Sequence, residues 1–165
     1  VRHPRMFATV TNGPNEGTPT LERWTLPRDP AAGAVRASTL DDAGQEFPRI
    51  DERLAGRRHR YGYAVGFGDD LMPGAALKHD LDAGTTQAHD HGPGRMTLEP
   101  VFVPREGGTA EDDGWVLSTV YDAATDTSDV VVLHAQDFAG EPVATVHLPV
   151  RVPFGFHSSW IADPA

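Results

Sequence analysis

An all-β architecture, part of a β-propeller, is predicted by three observations. No window of the 165 residues carries sustained apolar spacing at three and four, so long amphipathic helices are not expected. Short apolar or alternating runs recur between turn signals, and the 17 glycines and 14 prolines are scattered as punctuation rather than gathered into a linker. Glu46, Glu99 and His157 stand at the start of successive units, 53 and 58 residues apart. Such a period suits a repeat fold whose inner strands converge on one axis.

The elements follow in order. Residues 21–26 and 35–40, with the strand-like residues 6–10 before them, read as the later strands of a blade whose opening strand lies upstream, so 1–45 is a partial blade. A blade over 46–98 opens at residues 46–50 and continues through 61–67, 76–81 and 85–90. The clearest unit, 99–151, has runs at 99–103, 115–121, 130–135 and 143–148, a four-stranded antiparallel meander. Several of these runs are apolar on both faces, as expected for a sheet lying between other sheets. A further opening strand is expected after Val150, making 152–165 the start of a closing blade. Two complete blades with partial blades at each end leave sheet edges exposed. The chain, beginning on Val1, reads as a piece of a single longer propeller domain.

Composition narrows the function. There is no cysteine, which excludes disulfides, thiolate metal sites and cysteine nucleophiles. The net charge of −10 opposes binding to nucleic acid, whose phosphates are gripped by clustered Lys and Arg. Arg53, Arg57, Arg58 and Arg60 form a local basic cluster, read as a solvated loop. No apolar run approaches the ~20 residues of a membrane helix. No Gly-x-Ser-x-Gly elbow, phosphate loop or dinucleotide fingerprint occurs, and Asp112-Asp113-Gly114 reads as a tight turn rather than a calcium loop.

The candidate chemistry lies at the three strand starts. The first strand of each propeller blade lies nearest the central channel, so Glu46, Glu99 and His157 all have the chance to point at the axis. Carboxylates have little reason to face a narrow channel unless something there uses their charge. A neutral imidazole ligates iron well, and its second ring N–H commonly donates to an outer carboxylate. One ligand with two orienting carboxylates is chemically coherent. The alternative reading is that both glutamates cap strand ends or pair with surface arginines. Elsewhere, His89-Asp90-His91 precedes Gly92-Pro93-Gly94 and reads as a loop. His79 reads as a strand residue at a contact between blades, His134 and His147 as core histidines, and His3 and His59 as exposed.

Five segments together resemble the C-terminal part of the carotenoid cleavage oxygenases. They are Glu46-Phe47-Pro48-Arg49-Ile50, Leu77-Lys78-His79-Asp80-Leu81, Glu99-Pro100-Val101-Phe102-Val103-Pro104-Arg105, residues 111–118 beginning Glu111-Asp112-Asp113-Gly114-Trp115, and Val152-Pro153-Phe154-Gly155-Phe156-His157. The resemblance implies a seven-bladed propeller holding a non-haem Fe(II) ion on its axis through four histidines, three of them oriented by glutamates. By motif, His157 corresponds to the last iron ligand, and Glu46 and Glu99 to two of the outer glutamates. The other three histidines belong to motifs that this chain lacks. The implied reaction uses O2 to split a conjugated double bond of an apolar carotenoid, apocarotenoid or stilbene-like substrate into two carbonyl products. The isolated chain is expected to be inactive, since one histidine holds ferrous iron poorly. The implied setting is cytoplasmic, with any contact at a membrane surface made by parts outside this chain. Ser158 and Leu98 stand where the family usually carries glycine. A competing reading, of a different class, is a non-catalytic propeller module that binds a partner at its channel mouth.

Overall fold

The computed structural model describes residues 18–29, 31, 33–68, 72–155 and 157–163. The described residues form strands joined by turns and short 3-10 segments. A hairpin of β1 (Leu21–Thr25) and β2 (Arg36–Asp41) comes first. A four-stranded antiparallel meander follows, in the order β3 (Gln45–Arg49), β4 (Tyr61–Phe67), β5 (Pro73–Asp80) and β6 (Thr85–His89). In the next sheet β7 (Arg95–Thr97) and β8 (Val101–Pro104) both pair with β9 (Gly114–Asp122), which is followed by β10 (Thr127–His134) and β11 (Ala144–His147). The expected strand at 6–10 lies outside the described residues.

Two strand expectations are corrected. Glu99 does not begin a strand; it sits in the break between β7 and β8. Thr97 faces Val120 and Val101 faces Leu117, so the inner strand spends four steps where β9 spends three. Pro100 explains the break, because it has no N–H to give the ladder. The run after Val150 forms no strand among the described residues. Its Val152 N–H goes to the Ser128 side-chain hydroxyl on β10 rather than to a backbone carbonyl, and an extended segment without a backbone ladder partner is not a sheet strand.

The two large sheets pack through one apolar cluster. Tyr63 of β4 stacks on Phe102 of β8 at 5.7 Å, with the rings 7° apart, and lies 6.1 Å from Phe138. Val116, Val120, Val131 and Leu133 join the cluster from β9 and β10, with Ala76 and Ala135 beside them. Along β9 the side chains of one face are buried and those of the other are half-buried, so within this chain one face is covered and the other partly open. Gly114 has no room for a side chain, since a Cβ would overlap the Val103 carbonyl oxygen on the paired strand. A buried ion pair also crosses between the sheets: Lys78 Nζ of β5 lies 2.7 Å from Asp112 Oδ2, in the turn before β9.

The polar side chains sort by position. Arg53, Arg58 and Arg60 pair with Asp51, Asp82 and Asp80, so most of the basic loop is neutralised locally. His79 is buried; its Nδ1 is 3.0 Å from Thr86 Oγ1 and 3.6 Å from Asp41 of the preceding hairpin. That is the inter-blade contact the sequence suggested. The expectation for His147 is corrected: its side chain is 81% exposed, because β11 is an uncovered edge strand, and Nδ1 lies 2.8 Å from Asp129. His134 is half-buried and accepts from the Gln136 N–H, starting a 3-10 turn. His59 is half-buried rather than exposed.

His89 and His91 meet edge to face, with ring centroids 4.7 Å apart. Burial, then His89 and Arg95, pushes His91 down to about 4 from its ordinary 6.5. On acidification the unfolded chain therefore takes up this proton first. The stability contribution is complete above about pH 6.5 and is lost as pH falls toward 4. Substituting His91→Gln is expected to flatten the decline of the urea midpoint between pH 7 and 4.5; an unchanged slope contradicts the assignment.

Candidate metal centre

Each glutamate proposed from the sequence sits where an inner strand carries one extra residue. On β3, Glu46 faces Val65 and Arg49 faces Tyr63, three steps against two. The extra residue turns Glu46 and Arg49 to the same face of the sheet, whereas an unbroken strand puts positions three apart on opposite faces. The turn is made at Phe47, whose φ of 54° is left-handed. That conformation costs a side-chain-bearing residue roughly 1–2 kcal/mol. The Phe47 ring lies 6.4 Å from Phe67 and meets the His157 imidazole edge-on at 6.2 Å, with the planes 87° apart.

The second irregularity, between β7 and β8, delivers Glu99. Its side chain is only 2% exposed, and all its described contacts are charged or N–H donors. Oε1 lies 3.0 Å from His157 Nδ1. Oε2 accepts from the Ser158 backbone N–H at 2.6 Å and from Arg49 Nη1 at 2.7 Å. The same Nη1 also donates to the Ser158 carbonyl at 2.9 Å. Arg49 belongs to β3 and Glu99 to the next sheet, so this ion pair joins the inner edges of two neighbouring sheets. The sequence alternative in which Glu99 pairs with an arginine is thus realised together with the histidine contact.

An ionised carboxylate at Nδ1 requires that nitrogen to carry the proton, which leaves the lone pair on Nε2. The His157 side chain is 76% exposed and turns its remaining edge to the open side of the chain. Its tautomer and environment suit one corner of a metal site. Among the described residues no group of three or more His, Asp or Glu side chains is arranged to hold a metal. Glu46 is half-buried; its Oε2 accepts from the Phe47 N–H at 3.3 Å, and it is not bonded to His157. Ser158 does not adopt the left-handed conformation, so the absence of glycine there introduces no strain. Phe156 lies outside the described residues. Arg49 also belongs to this site; it lies in the Glu46-Phe47-Pro48-Arg49-Ile50 segment, but no local pattern marks it as a partner of Glu99.

Sequential antiparallel meanders, with two carboxylates on inner-strand irregularities and one of them holding an open imidazole, define a segment of a β-propeller built around a shared axis. The family model for RPE65, retinal pigment epithelial membrane protein, matches residues 2–162. The carotenoid cleavage oxygenase of Mycobacterium tuberculosis is 40% identical over 168 residues, covering 97% of this chain and 33% of the relative. The apocarotenoid-15,15'-oxygenase of Synechocystis is 39% identical over 140 residues, covering 83% of this chain and 29% of the relative. The cobalt-substituted structure of the Synechocystis enzyme superposes with a TM-score of 0.83 at 36% identity, covering 93% of this chain and 32% of that one. This chain belongs to the carotenoid cleavage oxygenase family. It spans about a third of the length of these relatives.

Proposed function

We propose that this chain supplies part of the metal centre of an oxygenase that uses Fe(II) and O2 to cleave a conjugated C=C bond of a carotenoid, apocarotenoid or stilbene-like substrate, giving two carbonyl products. The observation that carries the reading is the 3.0 Å contact between His157 Nδ1 and the buried Glu99 carboxylate. His157 is the ligand, through Nε2. Glu99 fixes its tautomer and ring direction, and Glu46 orients a histidine supplied from outside this chain. Iron, when bound, offers open coordination positions at which oxygen is activated.

The chain's own residues bind and orient. Glu99 holds the Nδ1 proton in place, and Phe47 limits rotation of the imidazole from one side. The crevice beside Glu99, lined by Val101, Leu117, Ser118 and Trp160, measures about 150 Å3. Small-molecule sites usually enclose ~300–1,000 Å3, so that crevice cannot enclose a polyene and the substrate cavity is drawn from other parts of the complete protein. For the same reason, and because among the described residues no cluster of three or more His, Asp or Glu side chains could hold a metal, the isolated chain is expected to have no oxygenase activity.

The test is oxygen uptake by the iron-loaded complete protein in the presence of an apocarotenoid. Glu99→Gln is expected to lower turnover or iron affinity by about 10–100-fold, the usual consequence of removing the partner of a ligand histidine. Turnover and affinity equal to the parent protein contradict the orienting role.

A further inference from the structure

We propose that Arg49 is a positioning residue of the metal centre: its guanidinium selects which oxygen of Glu99 is left to hold His157. The inference rests on the reading of His157 as a metal ligand and extends it to a residue in the neighbouring sheet.

The two oxygens of Glu99 have different partners. Oε2 takes Arg49 Nη1 at 2.7 Å and the Ser158 N–H at 2.6 Å, while among the described residues Oε1 takes His157 Nδ1 alone, at 3.0 Å. A carboxylate buried to 2% of its surface needs a counter-charge, and Arg49, 16% exposed, provides it. Nη1 also holds the Ser158 carbonyl at 2.9 Å, so one nitrogen ties the carboxylate to the backbone that immediately follows the ligand histidine. On the outer side Nη2 is paired with Glu52, which fixes the plane of the guanidinium. His157 is therefore held at two points, its ring through Oε1 and its following peptide through Oε2 and Arg49. Lysine has the charge but not the planar fork that meets several acceptors at once. The β3 irregularity aims Arg49 at this point, since without the extra residue it would face away from the side that Glu46 occupies.

The experiment measures Co2+ affinity by visible absorption under anaerobic conditions, using the complete protein. Arg49→Gln is expected to weaken cobalt binding about 10-fold or more. Arg49→Lys restores the charge without the fork and is expected to stay at least about threefold weaker than the parent. In a Glu99→Gln background the additional loss from Arg49→Gln is expected to shrink below about twofold, because there is no longer a carboxylate to orient. Parent-like affinity in Arg49→Gln or Arg49→Lys, or losses that simply add in the double variant, overturn the proposal. If Arg49→Gln does not fold by circular dichroism, the Arg49→Lys result decides. His157→Ala is the control that separates the two readings. Unchanged cobalt affinity there removes the ligand assignment itself, whereas a loss there with none in the Arg49 variants removes only the role of Arg49.

Discussion

His157→Ala in the complete protein is expected to abolish iron retention and oxygen consumption together. The substitution removes the imidazole proposed as the ligand, with its Nδ1 already committed to Glu99 at 3.0 Å. Loss of an orienting partner alone costs about 10–100-fold, so loss of the ligand is expected to exceed ~100-fold in iron affinity. Folding is expected to change little. His157 is not part of the apolar cluster that packs the two sheets. Metal analysis after gel filtration, paired with thermal unfolding, separates the two effects. Full iron occupancy in a folded variant contradicts the ligand assignment.

The largest stability effect is expected at Asp112. Its Oδ2 receives Lys78 Nζ at 2.7 Å, and that ammonium also donates to the Ala135 carbonyl at 2.6 Å and lies 4.3 Å from the centre of the Tyr61 ring. Lys78 is 5% exposed, so Asp112→Ala strands a buried charge. Breaking one side of such a pair typically costs about 3–5 kcal/mol. Lys78→Met combined with Asp112→Leu is expected to recover much of that loss, because no charge is left unpaired. Some loss persists, since Asp112 also accepts from Gln136 Nε2 at 3.3 Å. The denaturation midpoint of the complete protein checks both. An Asp112→Ala midpoint equal to the parent shows that the pair does not clip the sheets together.

Much of this site can be read from the sequence because its chemistry and its periodicity coincide. Glu46, Glu99 and His157 stand at repeat-like intervals, and the β9 run, apolar on both faces, predicts a strand lying between other sheets. The local geometry was harder to foresee. Residues 46–50 and 99–103 read as plain opening strands, and only the register reveals that each is interrupted by one extra residue that re-aims a glutamate. Phe47 is an unlikely residue to assign a left-handed conformation from sequence, since propensity gives that role to glycine or asparagine. His147 misled because an apolar run looks the same in a covered strand and in an edge strand. Arg49 and the Lys78–Asp112 pair are long-range partners from different sheets, which no local pattern encodes. Their motifs were visible in the sequence; the reason for those residue types emerges only when the sheets pack.

The central claim is that Glu99 holds His157 by Nδ1 so that Nε2 faces the metal. Anomalous diffraction at the cobalt edge, from crystals of the complete cobalt-loaded protein, tests it most directly. A cobalt peak is expected adjoining Nε2 of His157, with the Glu99 carboxylate still on Nδ1. A peak remote from His157, or bound through Nδ1 with Glu99 displaced, contradicts it.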